Sequence, residues 1–207
     1  MRLNAIPLEE HGPVLNRQEF RDSIRICYNL PLLQSTRCAC GESFSINHAL
    51  SCKKGGFVAQ RHDGIRDLLT SVISKVCKKM ETEPHLQPLD NERLNLKTAN
   101  MSPEVRLDIK AGVFWSCGVT AFFDVRVSHV NSTSNQNKRT LKIFREQENE
   151  KKRQYLQRVL EVKHGTFTPL VFGTNGGMGG ESALFLKTLA GLGESYAIVM
   201  AWNTYSF

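Results

Sequence analysis

Apolar residues recur along this chain in two rhythms, one of three to four residues and one of two, and the rhythms alternate. In residues 17–30, Phe20, Ile24, Cys27 and Tyr28 fall at helical spacing, and Pro31 closes the segment. Residues 57–79 carry Phe57, Ile65, Leu68, Leu69, Val72, Ile73 and Val76 on one stripe. That predicts a long amphipathic helix, ending in Lys75, Lys78 and Lys79, cations that suit the negative end of its dipole. Residues 141–162 predict another. Charges of alternating sign (Glu148, Glu150, Lys151, Lys152, Arg153) share it with a packing face of Ile143, Phe144, Tyr155, Leu156, Val159 and Leu160. A last helix is expected over 181–192.

Runs rich in β-branched and aromatic residues predict strands at 105–109, 121–127, 167–173 and 196–202, and a proline-bearing edge strand at 83–89. The segments 90–102 and 131–139 are polar and read as loops, and 1–16 as an irregular lead-in. The glycine run at 174–180 joins a strand to a helix, yet it lacks both a Gly-Lys-Ser/Thr ending and the spacing of a dinucleotide fingerprint. It reads as a turn whose backbone approaches a nucleic-acid phosphate, not as a nucleotide site. The resulting order of helix, three strands, helix, strand, helix, strand is that of an α/β (α+β) protein.

Composition narrows the picture modestly. At 207 residues the chain supports one core and a small appended module. Lys and Arg number 27 against 20 Asp and Glu, a net charge of +7, which favours a polyanionic partner. No apolar run approaches the ~18 residues of a membrane span. The first residues show no secretory leader, so nucleus or cytosol is the expected location, and cysteines there serve as ligands or core residues. Partners are expected to be DNA, with RNA left open, and no membrane; oligomeric state is not legible.

Three of the six cysteines, with one histidine, have a ligand-like spacing. Cys38, Cys40, His48 and Cys52 form C-x-C-x7-H-x3-C, with Gly41 turning the chain after the second thiol. Three thiolates and an imidazole suit a closed tetrahedral Zn²⁺ site. His48 and Cys52 are four apart, so one helical turn presents both. Cys27, Cys77 and Cys117 stand alone and read as core residues. After the basic pair Lys53-Lys54, Arg61 and His62 open the next helix, where they either approach phosphate or support a metal site.

The second constellation is a pair of aspartates on adjacent strands, Asp108 in Val105-Arg106-Leu107-Asp108-Ile109 and Asp124 in Ala121-Phe122-Phe123-Asp124-Val125-Arg126-Val127. Carboxylates brought together at strand ends repel unless a cation intervenes, and a hard divalent ion is the usual solution. Together with the zinc-like cluster, Arg61-His62-Asp63, Arg106-Leu107-Asp108, Asp124-Val125-Arg126 and the Lys152 to Tyr155 segment, this order resembles the C-terminal zinc knuckle and restriction-like, PD-(D/E)XK, endonuclease of non-LTR retrotransposon polyproteins. The segments HALSCKKGGF and FTPLVFGTNGGMGG add to the likeness, which spans residues 17–202.

The resemblance implies a restriction-endonuclease-like mixed sheet flanked by helices over 57–207, a zinc module over 36–56 and a lead-in over 1–35. It implies a catalytic Mg²⁺ held by Asp108, Asp124 and the backbone carbonyl of Val125, beside a structural Zn²⁺. Arg126 or Lys152 would stabilise the transition state, with Tyr155 lining the same face. Lys53, Lys54, Arg61, His62 and Lys151 would meet nucleic acid. The chain departs from that pattern in four places: Leu107 precedes the first acid, Arg126 stands where lysine is usual, 15 residues separate the acids, and the first thiol pair is one residue short. Because arginine cannot serve as a base, Lys151 or Lys152 on the next helix is expected to take the lysine's place. Two other classes stay open: a catalytically silent zinc-dependent nucleic-acid-binding module, a retroelement relic, and an interaction domain whose acids merely end strands.

Overall fold

A computed structural model describes residues 17–28, 30, 37–54, 57–86 and 105–192. The lead-in 1–16, the loop 90–102 and the expected strand 196–202 lie outside the described residues. The fold is mixed α/β, a four-stranded mixed sheet flanked by helices.

Strands β1 (Met80–Thr82), β4 (Ile109–Gly112), β5 (Thr120–Ser128) and β6 (Thr166–Gly173) form the sheet in the order β1-β4-β5-β6. The first three are antiparallel, and β6 runs parallel to β5. A parallel neighbour requires a crossover, which helix α4 (Thr140–Lys163) supplies. Pro169 is tolerated in β6 because that strand is an edge of the four-stranded sheet. Two expectations shift. Of the edge strand expected at 83–89, the described part is His85–Leu86 (β2), which pairs with Val105–Arg106 (β3) outside the main sheet, while Met80–Thr82, not expected as a strand, joins that sheet at its edge. The helix expected to run to Lys79 is α3 (Phe57–Val76) and stops three residues earlier.

Alternation along β5 decides what lies on each side. Phe123 and Val125 face the main core, where Ile65, Leu69, Val72 and Ile73 of α3 meet Phe185 and Leu189 of α5 (Gly180–Gly191). Phe122 points the other way, to Tyr155 and Val159 of α4 and Phe167 of β6. Asp124, Arg126 and Ser128 share that α4 face by register. Burying two faces explains why β6 and the first half of β5 read as nearly continuous apolar runs. At the end of α4 the chain turns back through His164 in the left-handed region (φ 50°). It then passes so close to β5 that a Cβ on Gly165 would lie 2.6 Å from Thr120 O, so only glycine fits there.

The glycine run does not form a phosphate cradle. Gly173 N–H bonds Gly177 O (2.7 Å), and Met178 bridges back to Phe172, folding the run into a tight turn. At the head of α5, Glu181 N–H donates to Glu148 Oε1 at 3.0 Å, and a Cβ on Gly179 would collide with that oxygen. A buried carboxylate from α4 thus fills the positive end of the α5 dipole. No helix among the described residues is long and apolar enough to cross a membrane.

Candidate functional site

Cys38 and Cys40 lie on a tight hairpin. Arg37 bridges to Ser43, Cys38 N–H bonds Glu42 O (2.9 Å), and Gly41 takes a φ of 96° that a side chain rarely adopts. Ser45 then caps helix α2 (Ile46–Ser51), its hydroxyl accepting from His48 N–H at 3.1 Å. That short helix carries His48, and Cys52 follows as its C-cap. The ligand atoms of Cys38, Cys40, His48 and Cys52 all lie within 4.8 Å of one another, so this Cys3His group could hold a metal ion. Among the described residues it is the one group of three or more such side chains gathered about a point. Cys38 Sγ and Cys52 Sγ are 3.8 Å apart, far beyond the ~2.05 Å of a disulfide. Hydrogen bonds from the Cys40 backbone and the His48 side chain hold the Cys38 thiol down to about 7, which favours the thiolate that ligates metals.

Two hydrogen bonds tie this group to the sheet domain. Arg61 Nη2 donates to Leu50 O at 2.8 Å, and His129 Nε2 lies 3.2 Å from Asn47 Oδ1 while its Nδ1 lies 3.2 Å from Thr174 Oγ1. Burial, with Arg61 nearby, pushes the His129 imidazole down, so it stays neutral.

The aspartates meet where β4 leaves β3. The expected strand 105–109 breaks at Leu107 and Asp108: Asp108 N–H bonds Phe123 O (3.2 Å), and its own carbonyl accepts from Glu83 N–H (2.9 Å). Held there, Asp108 Oδ2 accepts the N–H of Val125, the residue after Asp124, at 2.5 Å. Its other oxygen, Oδ1, lies 3.2 Å from His62 Nε2. Asp124 is only 4% exposed, and Lys151 Nζ sits 2.7 Å from its Oδ2. Each carboxylate therefore has its own partner, His62 for Asp108 and Lys151 for Asp124.

Burial, reinforced by Asp108 and opposed by Lys151, pushes Asp124 up to about 6. The Asp108 bond raises the His62 imidazole against the opposing effect of its burial. Tyr155 is buried against Phe167, its ring 5.4 Å below Lys151 Nζ. Burial, with Asp124 and Asp108 adding to it, pushes the phenol upward, so it remains neutral.

Lys151, counted in the sequence among nucleic-acid contacts, is the lysine at the carboxylates. Lys152, the residue named for catalysis, pairs with Glu181 instead. The stripe Phe144, Glu148, Lys151, Tyr155, Val159 explains the choice, because steps of three and four keep position 151 facing β5. Arg126 pairs with Glu150 at 2.6 Å. Arg61 and His62, expected at phosphate, are engaged with Leu50 and Asp108, whereas Lys53 and Lys54 are exposed. Sequence reasoning did not find the Glu148 cap or the His129 to Asn47 link; Glu148, four residues before Lys152 on the apolar stripe, was the one available signal.

Asp124 gives a direct test. Its proton is held more tightly in the folded chain (about 6) than in an unfolded one (about 4), so its stabilising contribution is present below pH 4 and lost as pH rises through 6. Asp124→Asn removes the ionisation. Thermal melts should show it more stable than wild type by roughly 2–6 °C at pH 7.5, with the gap closing at pH 4. An equal gap at both pH values would refute the buried-charge account.

No family model matches the chain, and no curated protein matches it.

Proposed function

We propose that this chain is a divalent-metal-dependent DNA endonuclease of PD-(D/E)XK type, derived from a retrotransposon and carrying a structural Zn²⁺. One observation carries the reading: Asp108 is bonded to the peptide N–H that follows Asp124, with Lys151 on Asp124, at the edge where two strands separate. The sheet order and the crossover helix agree with the nuclease core expected from the resemblance. Asp108 and Asp124, with the Val125 carbonyl, would hold Mg²⁺. When bound, the ion supplies a more acidic water and neutralises charge growing on the scissile phosphate.

The protein's own groups do the rest. The Val125 N–H fixes the Asp108 carboxylate in one orientation. Lys151 sits where a cation can orient the attacking water or meet the negative charge of the transition state. The neutral Tyr155 ring packs beneath its ammonium and narrows its choice of position. Arg126, always charged and paired with Glu150, is a phosphate contact or structural cation and not a base.

Zinc suits the Cys3His group because four soft ligands with tetrahedral Zn–S bonds of about 2.3 Å give S–S edges of about 3.8 Å, and the Cys38 to Cys52 separation is 3.8 Å. The deciding experiment is nicking of plasmid DNA in Mg²⁺ by wild type and Asp108→Ala. Loss of nicking in the variant supports the assignment, and nicking that persists removes it.

Binding should be mainly electrostatic, given the +7 charge and exposed lysines at 53, 54, 78 and 79. The logarithm of affinity should fall linearly with that of salt, by about 0.9 per phosphate neutralised. Replacing Lys53 and Lys54 together by alanine should lower the slope by about 2. Lys152→Ala, removing a lysine already paired with Glu181, should leave it unchanged. A salt-independent affinity would argue against a polyanion.

A further inference from the structure

A groove of about 700 Å³ lies on the α4 face of the sheet, between that helix and the polar loop 129–139. Its near end opens beside the carboxylates. Arg126, on one wall, follows Asp124 by two residues on the same face of β5, about 7 Å along the strand. Glu150, on the other wall, immediately precedes Lys151. The far end is His129, whose ring nitrogens are taken up by Thr174 and by Asn47 of the Cys3His segment. A chain that starts at Asp124 and continues toward that segment passes along this groove.

We propose that the groove holds an unpaired DNA strand running from the scissile phosphate toward the Cys3His segment, so that the substrate is DNA opened on one side of the cut. Arg153 and Arg126 meet its phosphates. The Ser132 and Ser134 hydroxyls and the Asn135 amide meet the edge of a base. The proposal rests on the nuclease reading for the place of the scissile phosphate. Size excludes a duplex, because the space is that of a single small-molecule ligand, enough for about one or two nucleotides.

The charges also suit one strand. Arg126 and Lys138 each hold a carboxylate, Glu150 and Glu146, at 2.6 Å. Arg153 is exposed and has no partner among the described residues. A guanidinium has more donors than one carboxylate contact uses, so Arg126 can meet a phosphate without leaving Glu150. The two acids oppose the doubled phosphate density of a duplex and tolerate a single strand. No Phe, Tyr or Trp lines the groove. Sequence-blind single-strand sites stack bases on such rings, whereas polar side chains read the hydrogen-bonding edges of unpaired bases. Recognition here is therefore base-dependent. Ser132 and Ser134 bond each other at 3.1 Å, and Asn135 Nδ2 donates to His129 O at 3.2 Å. Those bonds fix the three side chains and leave one hydroxyl hydrogen and the Asn135 amide oxygen for a base.

The test uses the full chain carrying one equivalent of Zn²⁺, without Mg²⁺, and reads the fluorescence anisotropy of a short labelled DNA strand, alone and in duplex. Arg153→Gln should weaken the single strand by about 10-fold and the duplex by less than about threefold. Lys163→Gln removes the same charge further along α4, about 15 Å away, and should leave both within about twofold. Photo-crosslinking from benzoylphenylalanine placed at position 134 locates the base in contact. Permuting that base should change wild-type affinity by at least about fivefold, and Ser132→Ala with Ser134→Ala should flatten the difference to within about twofold. Equal losses for strand and duplex in Arg153→Gln, a wild-type affinity indifferent to the base, or crosslinks to duplex alone would each overturn the proposal. Plasmid cleavage in Mg²⁺ is scored separately. Base-dependent strand binding without cleavage keeps the groove and removes the nuclease, and Asp108-dependent cleavage with equal losses does the reverse.

Discussion

Asp108→Asn and Asp124→Asn are each expected to bring Mg²⁺-dependent plasmid cleavage to background while DNA affinity holds or rises. Both variants keep shape and remove a charge, so a fall in rate without a fall in affinity isolates the role of the carboxylates in chemistry. Affinity should not suffer, because a negative group beside the bound phosphate has gone. Asn at 108 still offers an oxygen to the Val125 N–H, which preserves the local backbone. Lys151→Ala should slow cleavage by about 10²–10³-fold, the usual effect of removing one electrostatic donor from a transition state. Lys152→Ala should stay within a few-fold of wild type, since its ammonium serves Glu181 at the head of α5. The contrast between adjacent lysines is the sharper half of the experiment, because a nonspecific loss of positive charge would affect both alike. Cleavage that survives loss of either aspartate would falsify the assignment. Intact DNA binding with no cleavage by wild type would leave the zinc-dependent binding module standing.

The wild-type rate should also depend on pH in a defined way. Asp124 must lose its proton to hold a cation, and burial keeps that proton until about pH 6. On the proposed nuclease reading, the same burial that costs folded stability at neutral pH would poise the site, a trade common where function needs an uncomfortable charge.

How much of this was legible before the structure depended on whether a feature was periodic or pairwise. The long helices and the strands around both aspartates were written in periods of 3.6 and 2, and the sheet face of Asp124 followed from its position between Phe123 and Val125. The break at Leu107 and Asp108 was not legible. It is caused by a side chain capturing a backbone N–H from the neighbouring strand, a contact between residues 17 apart. The choice between Lys151 and Lys152 needed the rotation of α4 against β5, set by Tyr155 and Val159 packing on Phe122. Arg61 and His62 were recognised as a unit, but consecutive helical residues point about 100° apart, and the pair serves two sites: one side chain grips the Cys3His segment and the other the carboxylates.

Removing metal from the Cys3His group should unfold residues 37–54 and leave the sheet domain intact. The segment has almost nothing else to hold it. Helix α2 has six residues and buries none of them, and helices that short do not persist in water alone. None of the segment's side chains belongs to a hydrophobic cluster of the sheet domain, and the Arg61 and His129 hydrogen bonds described above are among its contacts with that domain. Two such bonds contribute about 1 kcal/mol each, too little to order eighteen residues against the conformational entropy. On the zinc reading, the bound ion would supply the folding free energy. Chelation, or Cys52→Ser, should raise amide hydrogen exchange across residues 38–52 by at least about 10³-fold, with exchange in β5 and β6 and the main melting transition unchanged. DNA affinity should fall as well, because Lys53 and Lys54 would lose their fixed position beside α3. Protection of residues 38–52 that is indifferent to chelator, in protein that purifies without zinc, would show that the thiols and imidazole hold the hairpin by packing alone.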